Sequence, residues 1–127
     1  MRSILTVGKK PYIIMADIVI MQKDIIVCIG GGDTPHIGAV SLATPRNSLR
    51  KDGSISASAS VLCVVGHKDD EFARAASLYL ASLFNTNVLV TVGIHIDEAT
   101  SNDLYRLQIN FKEMIKKIKI YLDETIE

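Results

Sequence analysis

At 127 residues, with 14 Lys and Arg against 14 Asp and Glu and nearly half of its residues hydrophobic (48%), the chain fits one domain with a real core. Such a composition argues against disorder, and the balanced charge supplies no global field for nucleic acid. The apolar stretch from Tyr12 to Met21 is interrupted by Asp17 and is well short of the roughly 20 residues of a membrane helix, which excludes a span there.

In chain order, Ile13–Ile20 and Ile25–Ile29 are rich in Ile and Val with Gln22, Lys23 and Asp24 between them, the pattern of a hairpin. Gly30, Gly31, Gly32, Asp33, Thr34 and Pro35 form a breaker cluster read as a loop, and Ile37–Ala43 resumes a β-prone run. Pro45–Gly53 reads as a polar loop. Over Ser54–Val65 the residues alternate, with Ile55, Ala57, Ala59, Val61, Cys63 and Val65 on one face and four serines on the other. Ser56, Ser58 and Ser60 read as a packing face, since no base or oxyanion arrangement accompanies them. Cys28 and Cys63 sit in apolar runs without a C-x-x-C pair or a leader, so both are expected to be buried free thiols of a reducing cytoplasm.

After Gly66 and His67 the period changes. Phe72, Ala76, Leu80, Leu83 and Phe84 fall at helical spacing, and Asp69, Asp70 and Glu71 occupy the first turn, predicting a helix from about Asp69 to Phe84. Val88–Ile96 reads as another strand. Thr100 with Asp103 matches a capping box ahead of Leu104, Leu107, Phe111, Met114, Ile115, Ile118 and Leu122, which predicts the final helix. Its Lys112, Lys116, Lys117 and Lys119 read as a solvated face, offset by Asp123, Glu124 and Glu127.

The expected fold is α+β: an antiparallel meander of four or five strands, a β-α-β unit and a C-terminal helix, with both helices on one face of the sheet. Two helices cover one face only, while several strands are apolar on both. A homo-oligomer, most simply a dimer, is therefore expected to bury the second face. If Ile25–Ile29 and Ile37–Ala43 are antiparallel neighbours, strand direction gathers His36, His67 and His95 at one end of the sheet. Each histidine has an aspartate within three positions, and the first helix aims its N–H groups at the same end. Taken singly, each histidine reads as a capping or turn residue hydrogen-bonded at a strand end rather than as a ligand. Taken together they mark a site for a metal ion, or for a ligand bringing both phosphate and metal. The three glycines are neither a Walker loop nor a Rossmann fingerprint, because no Gly-Lys-Ser/Thr ends them and a strand follows.

The strings Gly-Gly-Asp-Thr-Pro-His-Ile-Gly-Ala-Val-Ser-Leu-Ala at 31–43, Gly-His-Lys-Asp-Asp-Glu at 66–71 and Gly-Ile-His-Ile-Asp at 93–97 resemble the small D subunit of gallate- and vanillate-type hydroxyarylic acid decarboxylases, a family of prenylated-flavin chaperones. That resemblance implies a cytoplasmic accessory protein rather than the decarboxylase itself, with no catalytic residue of its own. It would bind prenylated flavin mononucleotide made by a separate prenyltransferase, and serve the large decarboxylase subunit. By motif it assigns cofactor binding to Gly31, Gly32, Asp33, His36, Gly66, His67, Lys68, Asp69 and His95. A divalent metal would fall to His36, His67, His95, Asp70 and Asp97. The lysine-rich last helix departs from the family pattern. The residues by themselves also permit a small metal-dependent hydrolase, or an assembly chaperone whose histidines only cap strands.

Overall fold

The computed structural model describes residues 1–64 and 69–126. Gly66, His67 and Lys68 thus lie outside the described residues, and with them one of the three histidines. Six strands and two helices follow in the order β1 (Arg2–Val7), β2 (Ile14–Met21), β3 (Asp24–Gly32), β4 (Ala39–Asn47), β5 (Ile55–Cys63), α1 (Asp70–Phe84), β6 (Val88–His95) and α2 (Ser101–Thr125). The strands form a single sheet in the spatial order β1-β2-β3-β6-β4-β5. All neighbours are antiparallel except β3 and β6.

The expected α+β architecture is present, with a first strand, Arg2–Val7, that the sequence reading did not place, and three further differences of detail. First, β4 does not neighbour β3, because β6 inserts between them. The inserted strand is antiparallel to β4 and parallel to β3, so the expected strand directions survive although the adjacency does not. Second, Gly30, Gly31 and Gly32 are not a loop but the end of β3, paired with Gly93, Ile94 and His95. Third, β4 runs through Pro45, which lies beyond Ala43, the last β4 residue paired with β6. A proline missing its N–H there costs no ladder bond on the β6 side.

Alternation explains the core. Ile18, Val27, Val90 and Ser41 line up across β2, β3, β6 and β4, and all four are fully buried. On this face α1 lies over β4, β5 and β6, while α2 lies over β1 and β2. Small residues let α1 come close: Ala73, Ala76 and Ser77 face Ala39, Ser41 and Ala43, and the Ser41 and Ser77 hydroxyls are 2.7 Å apart. Ser77 in turn donates to the Arg74 carbonyl, so neither buried hydroxyl is left unpaired. The stripe Leu107, Phe111, Met114, Ile118 and Leu122 seats α2, and each such side chain contributes about 1.5–3 kcal/mol through burial.

Neither cysteine is buried as expected, and only for Cys28 is the reason that the face opposite the helices is uncovered. Cys28 pairs with Asp17 and Thr91 on that open face and is exposed. Cys63 belongs to the helix-side row through Ala39, but it ends the edge strand and is exposed too.

The capping box of α2 forms as expected. Thr100 Oγ1 accepts from the Asp103 N–H, and the Asp103 carboxylate accepts from the Thr100 N–H at 2.9 Å and from the Tyr12 hydroxyl at 2.7 Å. These bonds, the Thr100 N–H first, hold the Asp103 carboxyl below its ordinary range. The folded protein therefore binds a proton at Asp103 less readily than the unfolded chain. This contribution to stability is complete above the unfolded carboxyl pKa of about 3.9 and is lost as pH falls through the lower folded value. Stability of the wild type is expected to decline more steeply below about pH 4 than that of Asp103→Asn. Superimposable acid-unfolding curves would dismiss this role.

Candidate functional site

The site is built where β6 ends. Asp33 and Thr34 donate their N–H groups to the His95 carbonyl, His36 to that of Gly93 and Gly38 to that of Val92, so the 33–38 segment is laid along the end of β6. Two glycines permit the contact. A Cβ on Gly93 would run into the His36 carbonyl, and one on Gly38 into the Asp69 carboxylate.

Asp69 is the anchor. It occupies the N-cap position of α1 yet makes no side-chain cap of its own helix. Its carboxylate turns to the sheet, where Oδ1 accepts the Ile94 N–H at 3.1 Å and Oδ2 lies 3.5 Å from His36 Nε2. Only 5% of Asp69 is exposed. His36 Nδ1 is 2.9 Å from the Thr34 carbonyl, which can only accept, so this nitrogen carries the hydrogen. His95 Nε2 is 2.8 Å from Asp97 Oδ1, and the His36 and His95 rings stand edge to face with centroids 6.2 Å apart.

The expected convergence is therefore present for His36 and His95, joined by Asp69. His67 lies outside the described residues. Gly31 and Gly32 are buried in β3, and the Gly32 N–H is spent on the Ile13 carbonyl. Asp33 is exposed. Asp70 sits in the first turn of α1, and Asp97 keeps an 84% exposed side chain against His95. Among the described residues no group of three His, Cys, Asp or Glu is disposed to hold a metal ion. The expected metal set is thus not assembled by the residues that are described.

The electrostatics of this end are acidic. Partial desolvation pushes the Cys63 thiol up from its ordinary range, and the Asp70 and Asp69 carboxylates add to the effect. A bare anion is poorly served there, despite the helix N-terminus.

A cavity of about 450 Å³ opens beside Asp69 and His95, walled by Glu71, Ile94, Leu104 and Leu107. It shares Glu71, Phe72 and Gln108 with a second hollow of about 570 Å³ that continues between the helices to Phe111, Lys112 and Lys116. Sequence reasoning assigned Phe72 and Phe111 to the core and the lysines to a solvated face. The available signal was Lys112 and Lys116 at i and i+4 beside Phe111 and Ile115, which sets charge next to an apolar wall.

A family model described as the prenylated flavin chaperone LpdD-like domain matches residues 8–123. No curated protein matches the chain. Among solved structures, a chain from a chaperone complex for yeast 20S proteasome assembly superposes with a TM-score of 0.65 at 16% identity, covering 100% of this chain and 98% of that one. That likeness concerns the fold alone. No helix among the described residues is long and apolar enough to cross a membrane.

Proposed function

Since the chain belongs to the prenylated flavin chaperone LpdD-like family, matched over residues 8–123, we propose that it binds prenylated flavin mononucleotide beside Asp69, His36 and His95 and serves a separate aromatic acid decarboxylase. The observation that carries this reading is the cavity of about 450 Å³ lined by a buried, hydrogen-bonded carboxylate and by His95, whose ring stands edge to face with that of His36. Apolar walls with a few convergent polar groups suit a planar heterocycle with hydrogen-bonding edges. When bound, the flavin would supply the chemistry of the partner's decarboxylation. The protein's part is to hold it: the Thr34 carbonyl orients the His36 ring through Nδ1–H, the Asp69 carboxylate faces the other edge of that ring, and Ile94 and Leu107 exclude water. The cofactor comes from a flavin prenyltransferase and passes to the large decarboxylase subunit.

A metal-dependent enzyme finds no three-ligand group among the described residues to support it.

Anaerobic titration with reduced prenylated flavin mononucleotide, followed by flavin absorbance, tests the proposal. The wild type is expected to bind, and the joint replacement of His36, His67 and His95 by alanine to weaken binding at least tenfold, about 1.4 kcal/mol. Equal affinity in the two proteins, or no binding by the wild type, would sink it. Parallel titrations with and without a divalent cation decide whether a metal takes part.

The proposal includes a second copy of the chain on the open sheet face. There Ile4, Met15, Leu42 and Leu62 are between 45% and 76% exposed. Gly30, Ser58 and Ser60 between them leave room for close approach, as a sheet-on-sheet contact requires.

A further inference from the structure

The groove between the two helices has a polarity that the histidine end alone does not explain. α1 and α2 lie over different strands and are bridged by the Phe72 and Phe111 rings, whose centroids are 4.5 Å apart. The second hollow runs over these rings, with Ala75 and Tyr79 on one bank and Ile115 on the other. Ala75 is exposed and small, and Tyr79 is 43% exposed, so the banks stand open over an aromatic floor.

The two ends differ in charge. At one end stand Asp69, Asp70 and Glu71, a poor place for phosphate. At the other, Lys112 and Lys116 project one turn apart from α2 beside the hollow. Lys116 is held only by an exposed pair with Glu113 at 3.3 Å, an interaction that a ligand phosphate displaces at little cost. From Leu104 to Lys116 the helix advances roughly 18 Å, room for a fused ring system with a phosphorylated sugar-alcohol tail.

We propose that the prenylated flavin lies along this groove, its ring system over Phe72 and Phe111, its hydrogen-bonding edge toward Asp69 and His95, and its phosphate between Lys112 and Lys116. The assignment rests on the flavin-binding reading and adds to it an orientation and a phosphate site.

The test compares reduced prenylated flavin mononucleotide with its dephosphorylated form, titrated anaerobically into wild type, Lys112→Glu/Lys116→Glu, Ala75→Trp and the charge-matched control Arg50→Glu/Lys51→Glu. All four proteins are first checked for unchanged circular dichroism. The wild type is expected to prefer the phosphorylated form by about tenfold or more, as charge-assisted hydrogen bonds to phosphate allow. The lysine variant is expected to lose that preference, while the control keeps it. Ala75→Trp fills the groove and should weaken both ligands. A lysine variant that still prefers the phosphorylated form overturns the orientation and leaves flavin binding intact. A wild type that binds neither ligand overturns both. If Ala75→Trp fails to fold, the lysine comparison decides alone.

Discussion

Replacing Asp69 with alanine is expected to cost about 2 kcal/mol of stability and to abolish flavin binding. The carboxylate is 5% exposed, accepts the Ile94 N–H and faces His36. Removing it leaves the Ile94 N–H without its acceptor and takes the facing carboxylate away from the His36 ring. A buried donor stripped of its partner carries the full desolvation penalty, which outweighs the modest net worth of an ordinary hydrogen bond. Asp69→Asn keeps the volume and one acceptor, so its stability loss should stay near 1 kcal/mol while binding still falls. Urea unfolding at unchanged m-value measures both. A loss below about 0.5 kcal/mol for the alanine variant would show that Asp69 does not anchor the end of β6.

The second large effect concerns the open sheet face. Leu42→Glu with Leu62→Glu is expected to convert a dimer to a monomer without unfolding it, because both side chains point away from the helices, 47% and 76% exposed in the single chain. Leu62 pairs with Val40 and Leu42 with Ser60, which places both leucines on the same face of the β4–β5 hairpin. A buried anchor residue at the centre of an interface is worth about 2 kcal/mol or more. Two of them weaken association by about a thousandfold. Sedimentation velocity across a concentration series reads this directly. Association through the β1 or β5 edge would instead leave the double variant as dimeric as the wild type, and a wild type that stays monomeric at every concentration would end the proposal.

How much of this was legible in the sequence depended on how local the physics was. The α2 cap was, since Thr100 and Asp103 are three residues apart and their reciprocal bonds follow from that spacing. The helix at Asp70–Phe84 was, from acids followed by apolar residues at helical period. The insertion of β6 between β3 and β4 was not, because nothing in either strand's composition names its neighbour. The glycines read as a loop because their composition signals a turn, whereas their strand state depends on partners on both sides, Met15 and Ile14 on β2 and Gly93 and Ile94 on the distant β6. Exposure of Cys28 was hidden for a related reason: an apolar run tells that a strand can be buried on both faces, not that both are covered within one chain. His36 and His95 were placed together correctly because direction survives an error in adjacency. Lys112 and Lys116 are exposed, as their pattern implied, and that pattern is the same whether a helical lysine faces open water or the rim of a groove.

The insertion of β6 also sets an order of events on the ribosome. The β1–β2–β3 meander and the β4–β5 hairpin are joined by local antiparallel pairings, and each can close as soon as it is synthesised. Their inner edges, β3 and β4, must then wait unpaired until β6 emerges to link them, with α1 made in between. During that interval two apolar strand edges are open to the wrong neighbour. The central parallel pair thus joins the two halves of the sheet, and the end of β6 that joins them is the same end that assembles His36, Asp69 and His95. A nascent chain stalled before Val88 therefore has neither a continuous sheet nor the His95 that completes the candidate site.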